Sequence, residues 1–544
     1  MVKAEELNGK YFDVAIIGGG LGGLQCGYIL SKRGLKVCIL EQNPLLGGSL
    51  QSFGRRTAAT SDTSGRMAEF DTGLHYVGGL DQGQPLNAIF NYFGLMHLPW
   101  QKMDTEAFDE VIVNGRSYIF ANGYDAFSAR MTDFFPHQKE NIKRYVSLLK
   151  EVGDALPKSF SPKEDGAVYT QSLFARSAYE FVNETISDPL LREVVAGTSL
   201  KMELTPTLPL YTYAQINSSF IQSAWRLAGG GNMISDSLCL SIEKMGGVVS
   251  TRARVTEIKE LDSNGTEGNA ESYNEKAGLQ LTVNGNIDIF AKNVISNLHP
   301  AATLDLIKES AHVRKVYRNR INRLENTTGM FTVNLTLKEN AVEYFNRNRY
   351  IHNLSDGESL WTNSPVTSVT DETSKTARAD TPIKSMLVSY YSKDAASSGD
   401  KSFARQLDLL TPMSWNEVEK FMGTKVGHRG EEYEALKSRK AAQCIEFAQS
   451  IIPGLKKSVI DSYTSTPLTY KDYTATACGS AYGIRKDYSN LMLTLLTPKT
   501  PVPNLYLTGQ NLNLHGVLGV SMTSFFTCAE IIGMEAATDG LKFE

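Results

Sequence analysis

The sequence has too few cysteines, too widely scattered, to be a disulfide framework or a metal module. Six occur in 544 residues, at positions 26, 38, 239, 444, 478 and 528, with no CxxC pair. That pattern reads as separate reduced thiols. The eight histidines lack HExxH or any similar ligand spacing, so no metal site is expected. No run of about 20 apolar residues occurs, which excludes a membrane-spanning helix. Met1 to Lys10 is short and polar, and Gly18-Gly19-Gly20 interrupts the apolar run that follows. Neither a signal peptide nor a transit peptide is read there, and the expected location is cytoplasmic, with peripheral membrane contact as a conjecture. Charge of one sign is also missing: 55 basic residues face 59 acidic ones, for a net charge of −4. Nucleic acid would require a concentrated basic face, so it is not expected as a partner. No internal repeat is visible.

What is present is a nucleotide-binding unit. Phe12 to Ile17 is a compact apolar run, suited to a parallel strand buried on both faces. Gly18-x-Gly20-x-x-Gly23 follows, then a helical segment from Leu21 to Lys32 closed by Gly34, then a second strand, Lys36 to Leu40, ending on Glu41. Gly18 permits the tight turn, Gly20 lets backbone approach a pyrophosphate, and Gly23 lets helix pack on sheet. The N–H groups of Leu21, Gly22 and their neighbours at the helix start attract anionic phosphate. Glu41, 23 residues beyond Gly18, is placed to accept hydrogen bonds from a ribose diol, with Gln42 beside it. A dinucleotide is expected here.

The stretch from about Leu80 to Tyr213 reads as helical and aromatic. Asn141 to Leu156 carries one apolar face, expected to be core. Gly229-Gly230-Gly231 opens a helix to about Met245, and strands are read at Val248–Thr251, Arg254–Leu261, Gly278–Val283 and Lys292–Ser296. The polar stretch Asp262–Ala277 is expected as a solvated hairpin tip, and Ser364–Pro382 as a mobile loop. Asn504–Gly509 returns as a strand, and a last helix starts near Gly516 to Leu518. The expected fold is α/β: a Rossmann-like dinucleotide domain from residues 1–80, 226–302 and 502–544, with an inserted α+β substrate domain from 81–225 and 303–501.

Several blocks resemble a known family. Gly47-Gly48 extends the first glycine motif as FAD-binding members of the two-dinucleotide-binding-fold superfamily do, whereas Ser49 stands where amine oxidases carry Arg. Phe70 to Gly78, with Gly73 and His75, is similar to the retinol saturase segment that approaches the flavin. Gly229 to Asn232 through Val255 and Ile258 resembles a second glycine block, in which Val255 would contact adenine through its backbone, although Ala228 replaces the usual Pro. Leu507 to Val520 is similar to the C-terminal flavin block, with Gln510 where many relatives carry Asp. The resemblance is to retinol saturases, carotenoid isomerases and phytoene desaturases. It implies non-covalent FAD, an external electron donor, and Gly509, Gln510, Gly516, Val517 and Leu518 near the flavin pyrimidine, where a helix N-terminus stabilises negative charge.

The resemblance further implies chemistry at C=C bonds of a hydrophobic polyene: a retinoid, carotenoid or unsaturated lipid. Saturation is the leading expectation, with cis–trans isomerisation or desaturation on the same fold as rivals, and an FAD-bound lipid carrier as the non-enzymatic one. Saturation needs a hydride and a proton, and His515, His75 and Tyr76 are the candidate proton donors. Tyr211, Tyr213, Phe220 and Trp225 either line an apolar cleft or pack in the core.

Overall fold

The computed structural model describes residues 1–57, 65, 67–160, 165–261, 278–362, 382–391 and 402–543. Both expected loops, Asp262–Ala277 and nearly all of Ser364–Pro382, lie outside these residues.

The first strand, Tyr11–Ile17, is buried almost throughout and pairs in parallel with Val37–Leu40 on one side and Ile287–Ser296 on the other. Val248–Ser250 adds beyond Val37–Leu40. The helix Leu21–Lys32 has the bounds read from the sequence. It ends because Gly34 adopts φ +77, where its N–H reaches Ser31 O and that of Leu35 reaches Leu30 O, closing off the last carbonyls. Strands Val255–Glu260 and Leu279–Val283 pair antiparallel, as two arms of a hairpin do.

Ile287–Ser296 is longer than the five residues read from the sequence, and its two halves behave differently. In the first half burial alternates and Leu279–Val283 is the antiparallel partner; the second half is buried throughout, with Leu505–Leu507 in parallel on that same edge. Alternation suits a strand with one wet face, whereas continuous burial suits one covered on both sides. The helix Gly516–Ile532 then packs on Leu21–Lys32, covering the sheet.

A second seven-stranded sheet draws on both insertions. Its order is Val459–Ser465, Gly329–Leu337, Gln406–Met413, Ser385–Tyr391, Asn348–His352, Asp109–Val113, Arg116–Phe120. The last pair corrects the reading of residues 80–213 as helical. Asn114 (φ 49) and Gly115 (φ 78) form the two-residue turn that joins these strands, an Asn-Gly hairpin signal. Elsewhere in that stretch helices do dominate. Lys139–Ala155 buries Ile142, Tyr145, Leu149 and Val152 in the largest core cluster among the described residues, packed against helix Leu210–Gln222. The architecture is α/β, with a Rossmann-like unit and an α+β unit. Among the described residues no helix is long and apolar enough to cross a membrane.

Candidate functional site

A cavity of about 380 Å³ lies between the two units. Its first part is built by the turn after strand Tyr11–Ile17. Gly18 has φ +97, a conformation that side-chain-bearing residues rarely adopt. Gly23 faces away from the cavity; a Cβ there would stand 2.1 Å from the carbonyl oxygen of Gly18. That contact fixes how closely helix Leu21–Lys32 sits on the strand. Every other expected cofactor residue borders the cavity: Gly18, Gly20, Leu21 and Gly22, then Glu41, Gln42, Gly47, Gly48, Ser49 and Gly73, and finally Val255, Gly509, Gln510, Gly516, Val517 and Leu518.

Glu41 is buried, and burial raises its pKa. Its Oε2 accepts the Gly19 N–H and its Oε1 the Asn43 N–H, both at 2.8 Å. One lone pair per oxygen remains for a diol. The helix N-termini after Gly20 and His515 leave N–H groups without intrahelical acceptors beside the cavity. A carboxylate for a ribose and two N-termini for anionic groups fit a flavin dinucleotide.

Sequence reasoning missed Asn297, at the end of strand Ile287–Ser296. A Cβ on Gly20 would come 2.9 Å from Asn297 Nδ2; one on Gly22 or Gly509 would come 2.7 or 2.5 Å from its Oδ1. Three glycines from opposite ends of the chain therefore make room for one side chain. Arg254 and the segment Tyr473–Thr476 also border the cavity and carried no sequence signal.

The other part of the cavity is aromatic and aliphatic, bordered by Phe220, Tyr350, Leu387 and Leu410. Of the aromatic run singled out from the sequence, only Phe220 reaches it; Tyr211 and Tyr213 pack in the core, and Trp225 donates to Asp81. Tyr76 donates to Asp109 Oδ2 at 2.9 Å, and Lys201 Nζ donates to the same oxygen at 2.9 Å. Tyr350 Oη lies 2.6 Å from Tyr76 Oη. Because the Tyr76 proton points to the carboxylate, Tyr350 is the donor in that second bond. Burial lowers the Lys201 pKa and holds Tyr76 well above the usual phenol value. Breaking such a buried ion pair by removing one partner costs about 3–5 kcal/mol.

His515 and His75 both border the cavity. His515 Nε2 lies 3.0 Å from the Lys201 carbonyl oxygen, which can only accept, so the ring proton sits on Nε2. Burial lowers the His515 pKa to about 4. His75 is likewise lowered to about 4, by burial and then by Arg226. Its Nδ1 is 3.4 Å from Tyr391 Oη and 3.8 Å from Asp408 Oδ2. Asp408 accepts from Asn334 Nδ2 at 2.6 Å, and burial raises its pKa to about 7. At neutral pH both rings are uncharged.

Residues 16–93 match the family described as NAD(P)-binding Rossmann-like domain. Across nearly its whole length the chain is similar to all-trans-retinol 13,14-reductase of Macaca fascicularis, 24% identical and covering 97% of this chain and 86% of that protein. Chloroplastic prolycopene isomerase of Daucus carota is 22% identical, covering 92% and 77%. A putrescine oxidase solved with putrescine shares the fold, with a TM-score of 0.56 at 16% identity over 96% and 99% of the two chains. With the glycine turn, the buried Glu41 and the flavin-type cradle in one cavity, these likenesses support a place beside the FAD-dependent carotenoid and retinoid oxidoreductases, to which the chain is similar over nearly its whole length.

Proposed function

We propose that the protein is a saturase: it binds FAD non-covalently and reduces a C=C bond of a hydrophobic polyene. One observation carries the reading, namely a single cavity that joins the glycine-rich, anion-suited part to an apolar, aromatic part. Bound FAD supplies hydride chemistry at its flavin ring. The chain's own residues do the rest. Glu41 holds the ribose, and the N–H groups beginning at Leu21 hold the pyrophosphate. The N-terminus after His515 stabilises negative charge near Gly516–Leu518. Phe220, Leu387 and Leu410 exclude water from the polyene.

Two kinds of relative support the polyene class, and they differ in net chemistry: a reductase and an isomerase. One relative in Danio rerio is named an inactive all-trans-retinol 13,14-reductase, so product has to be measured and not inferred from flavin binding. Photoreduced protein is incubated without oxygen with a panel of polyenes, and products are weighed by mass spectrometry. A gain of two hydrogens is expected. Unchanged mass with a new retention time would make it an isomerase, loss of two hydrogens by oxidised protein a desaturase, and no product a carrier. Acid precipitation should leave the flavin in the supernatant, which tests the non-covalent link.

A further inference from the structure

Saturation adds a hydride to one carbon of the double bond and a proton to its neighbour, yet neither histidine has a proton to spare. Both rings have a pKa of about 4, and His515 commits its N–H to the Lys201 carbonyl. Behind His75 lies a buried acid that does. Asp408 Oδ1 accepts from Asn334 Nδ2, and its Oδ2 faces His75 Nδ1 at 3.8 Å. The Tyr391 hydroxyl is 3.4 Å from the same Nδ1. Burial raises the pKa of Asp408, to about 7, and that of Tyr391; contact between the two opposes the first rise and adds to the second. Asp71, Arg226 and Tyr470 also face Asp408, from strands Met67–Asp71 and Ala224–Leu227 and helix Pro467–Thr474. The Arg226 guanidinium donates to neutral oxygens, the carbonyls of Tyr390 and Arg347 and Asn348 Oδ1, so its charge is left to balance one carboxylate. Asp71 is that carboxylate. Burial raises it only to about 6, because the Gly231 N–H and the Ser52 hydroxyl donate to its Oδ1 and favour the charged form. An asparagine at 408 would accept the Asn334 bond equally well; what aspartic acid adds is a proton that can leave.

Resting on the saturase reading, we propose that Asp408 is the proton source of the reaction, delivering through Tyr391 and His75 to the polyene carbon. With Asp408 protonated the donors run in one direction: the carboxyl to Tyr391 Oη, Tyr391 to His75 Nδ1, and His75 Nε2–H to the cavity that the ring borders. A hydride drawn from reduced flavin forms a C–H bond at one end of the C=C, and the π pair shifts to the other carbon. The Nε2 proton bonds there, Nδ1 takes the proton of Tyr391, and Tyr391 takes that of Asp408. Two electrons and a proton from the chain's own acid are thus consumed with the hydride, leaving a carboxylate. Water that enters as product leaves then protonates Nε2, and the chain runs back to Asp408. His75 passes a proton and never holds two, so its low pKa is no obstacle. Hydrogen bonds of such a chain are often long before substrate is bound and tighten in the complex.

Two measurements on flavin-loaded protein test this. Infrared spectra of the oxidised protein should show a protonated-carboxyl C=O band that fades as the pH rises through about 7 and is missing from Asp408→Asn. Photoreduced protein is then mixed without oxygen with retinol, β-carotene and lycopene, and the probe that gains two hydrogens is followed by stopped flow between pH 5 and pH 9. In wild type, flavin reoxidation should be fastest in acid and fall about tenfold per unit above pH 7, because the proton is present only while Asp408 holds it. Asp408→Asn should be slower at pH 6 by about a hundredfold or more and should lose that decline. A merely structural role would lower the rate and leave the decline in place. Tyr391→Phe should keep the infrared band and slow the reaction by about tenfold or more, which keeps the test decisive if Asp408→Asn does not fold. Absence of the band, a decline that survives in Asp408→Asn, or wild-type speed in Tyr391→Phe overturns the relay and leaves the saturase reading standing. If none of the three probes gains hydrogens, the saturase reading itself fails, and the relay with it.

Discussion

Asp408→Asn should make the protein more stable, and more so as the pH rises. Asp408 is buried, its Oδ1 accepts from Asn334, and its Oδ2 lies 3.8 Å from His75 Nδ1, beyond hydrogen-bond reach. His75 is uncharged above about pH 4 and so gives the carboxylate no cationic partner. Burial, followed by the repulsion of Asp71, raises Asp408 from 3.8 to about 7. A raised folded-state pKa has a definite sign: the contribution to stability is fully present below pH 3.8, where both states are protonated. It is lost as pH rises through 7, because the unfolded chain ionises first. At about 1.4 kcal/mol per unit over roughly three units, the loss is of order 4 kcal/mol, most of it accumulated by neutral pH. Asparagine keeps the acceptor for Asn334 and cannot ionise. Urea unfolding of both proteins at pH 5 and pH 8 should show the variant's advantage growing by about 2–3 kcal/mol between the two, other titrating groups cancelling in the comparison. An advantage that is independent of pH within about 0.5 kcal/mol, or that grows toward acid, would refute the assignment of a neutral, buried Asp408.

Three further outcomes are expected. Gly23→Ala places a methyl group 2.1 Å from a backbone oxygen that cannot move without dislodging the strand, so purified variant should lose its flavin absorbance and melt earlier, whereas Gly20→Val first meets the Asn297 amide and should lose flavin with a smaller change in melting temperature. Glu41→Ala should weaken FAD by about 1–3 kcal/mol in equilibrium dialysis, and Glu41→Gln should recover part of that, since an amide still offers one acceptor. His515→Ala should slow reoxidation of reduced flavin by polyene less than tenfold while loosening FAD, because a ring with a pKa of about 4 and its single N–H committed to Lys201 is a poor acid at neutral pH; a loss of about a hundredfold or more in stopped flow, with FAD affinity intact, would return it to the role of proton donor.

The nucleotide half was legible because its signals are local. Strand, glycine turn, helix and terminal acid occupy residues 11–41 in unbroken order, so spacing alone fixes their geometry. Asn114-Gly115 was equally legible as a hairpin turn, yet its surroundings, dense in helical periodicity, hid it. The Lys201–Asp109–Tyr76–Tyr350 group was of another kind. Its members are separated by up to 274 residues and meet only because two insertions share one sheet. Tyr76 was chosen from its neighbourhood in sequence, whereas nothing around Lys201 or Asp109 marks either as more than a surface charge. Asn297 was hidden for a similar reason: its importance lies in glycines more than 200 residues away.

The strand Leu505–Leu507 pairs with Val294–Ser296, beyond the Ile287–Ala291 stretch of that edge that the hairpin partner covers, and Gly509 then closes the notch around Asn297. During synthesis that edge stays open until residues 505–507 emerge, more than 200 residues after the edge itself, and over that interval it is a template for unwanted strand pairing. Prematurely terminated chains would carry a sticky edge and an unfinished cradle.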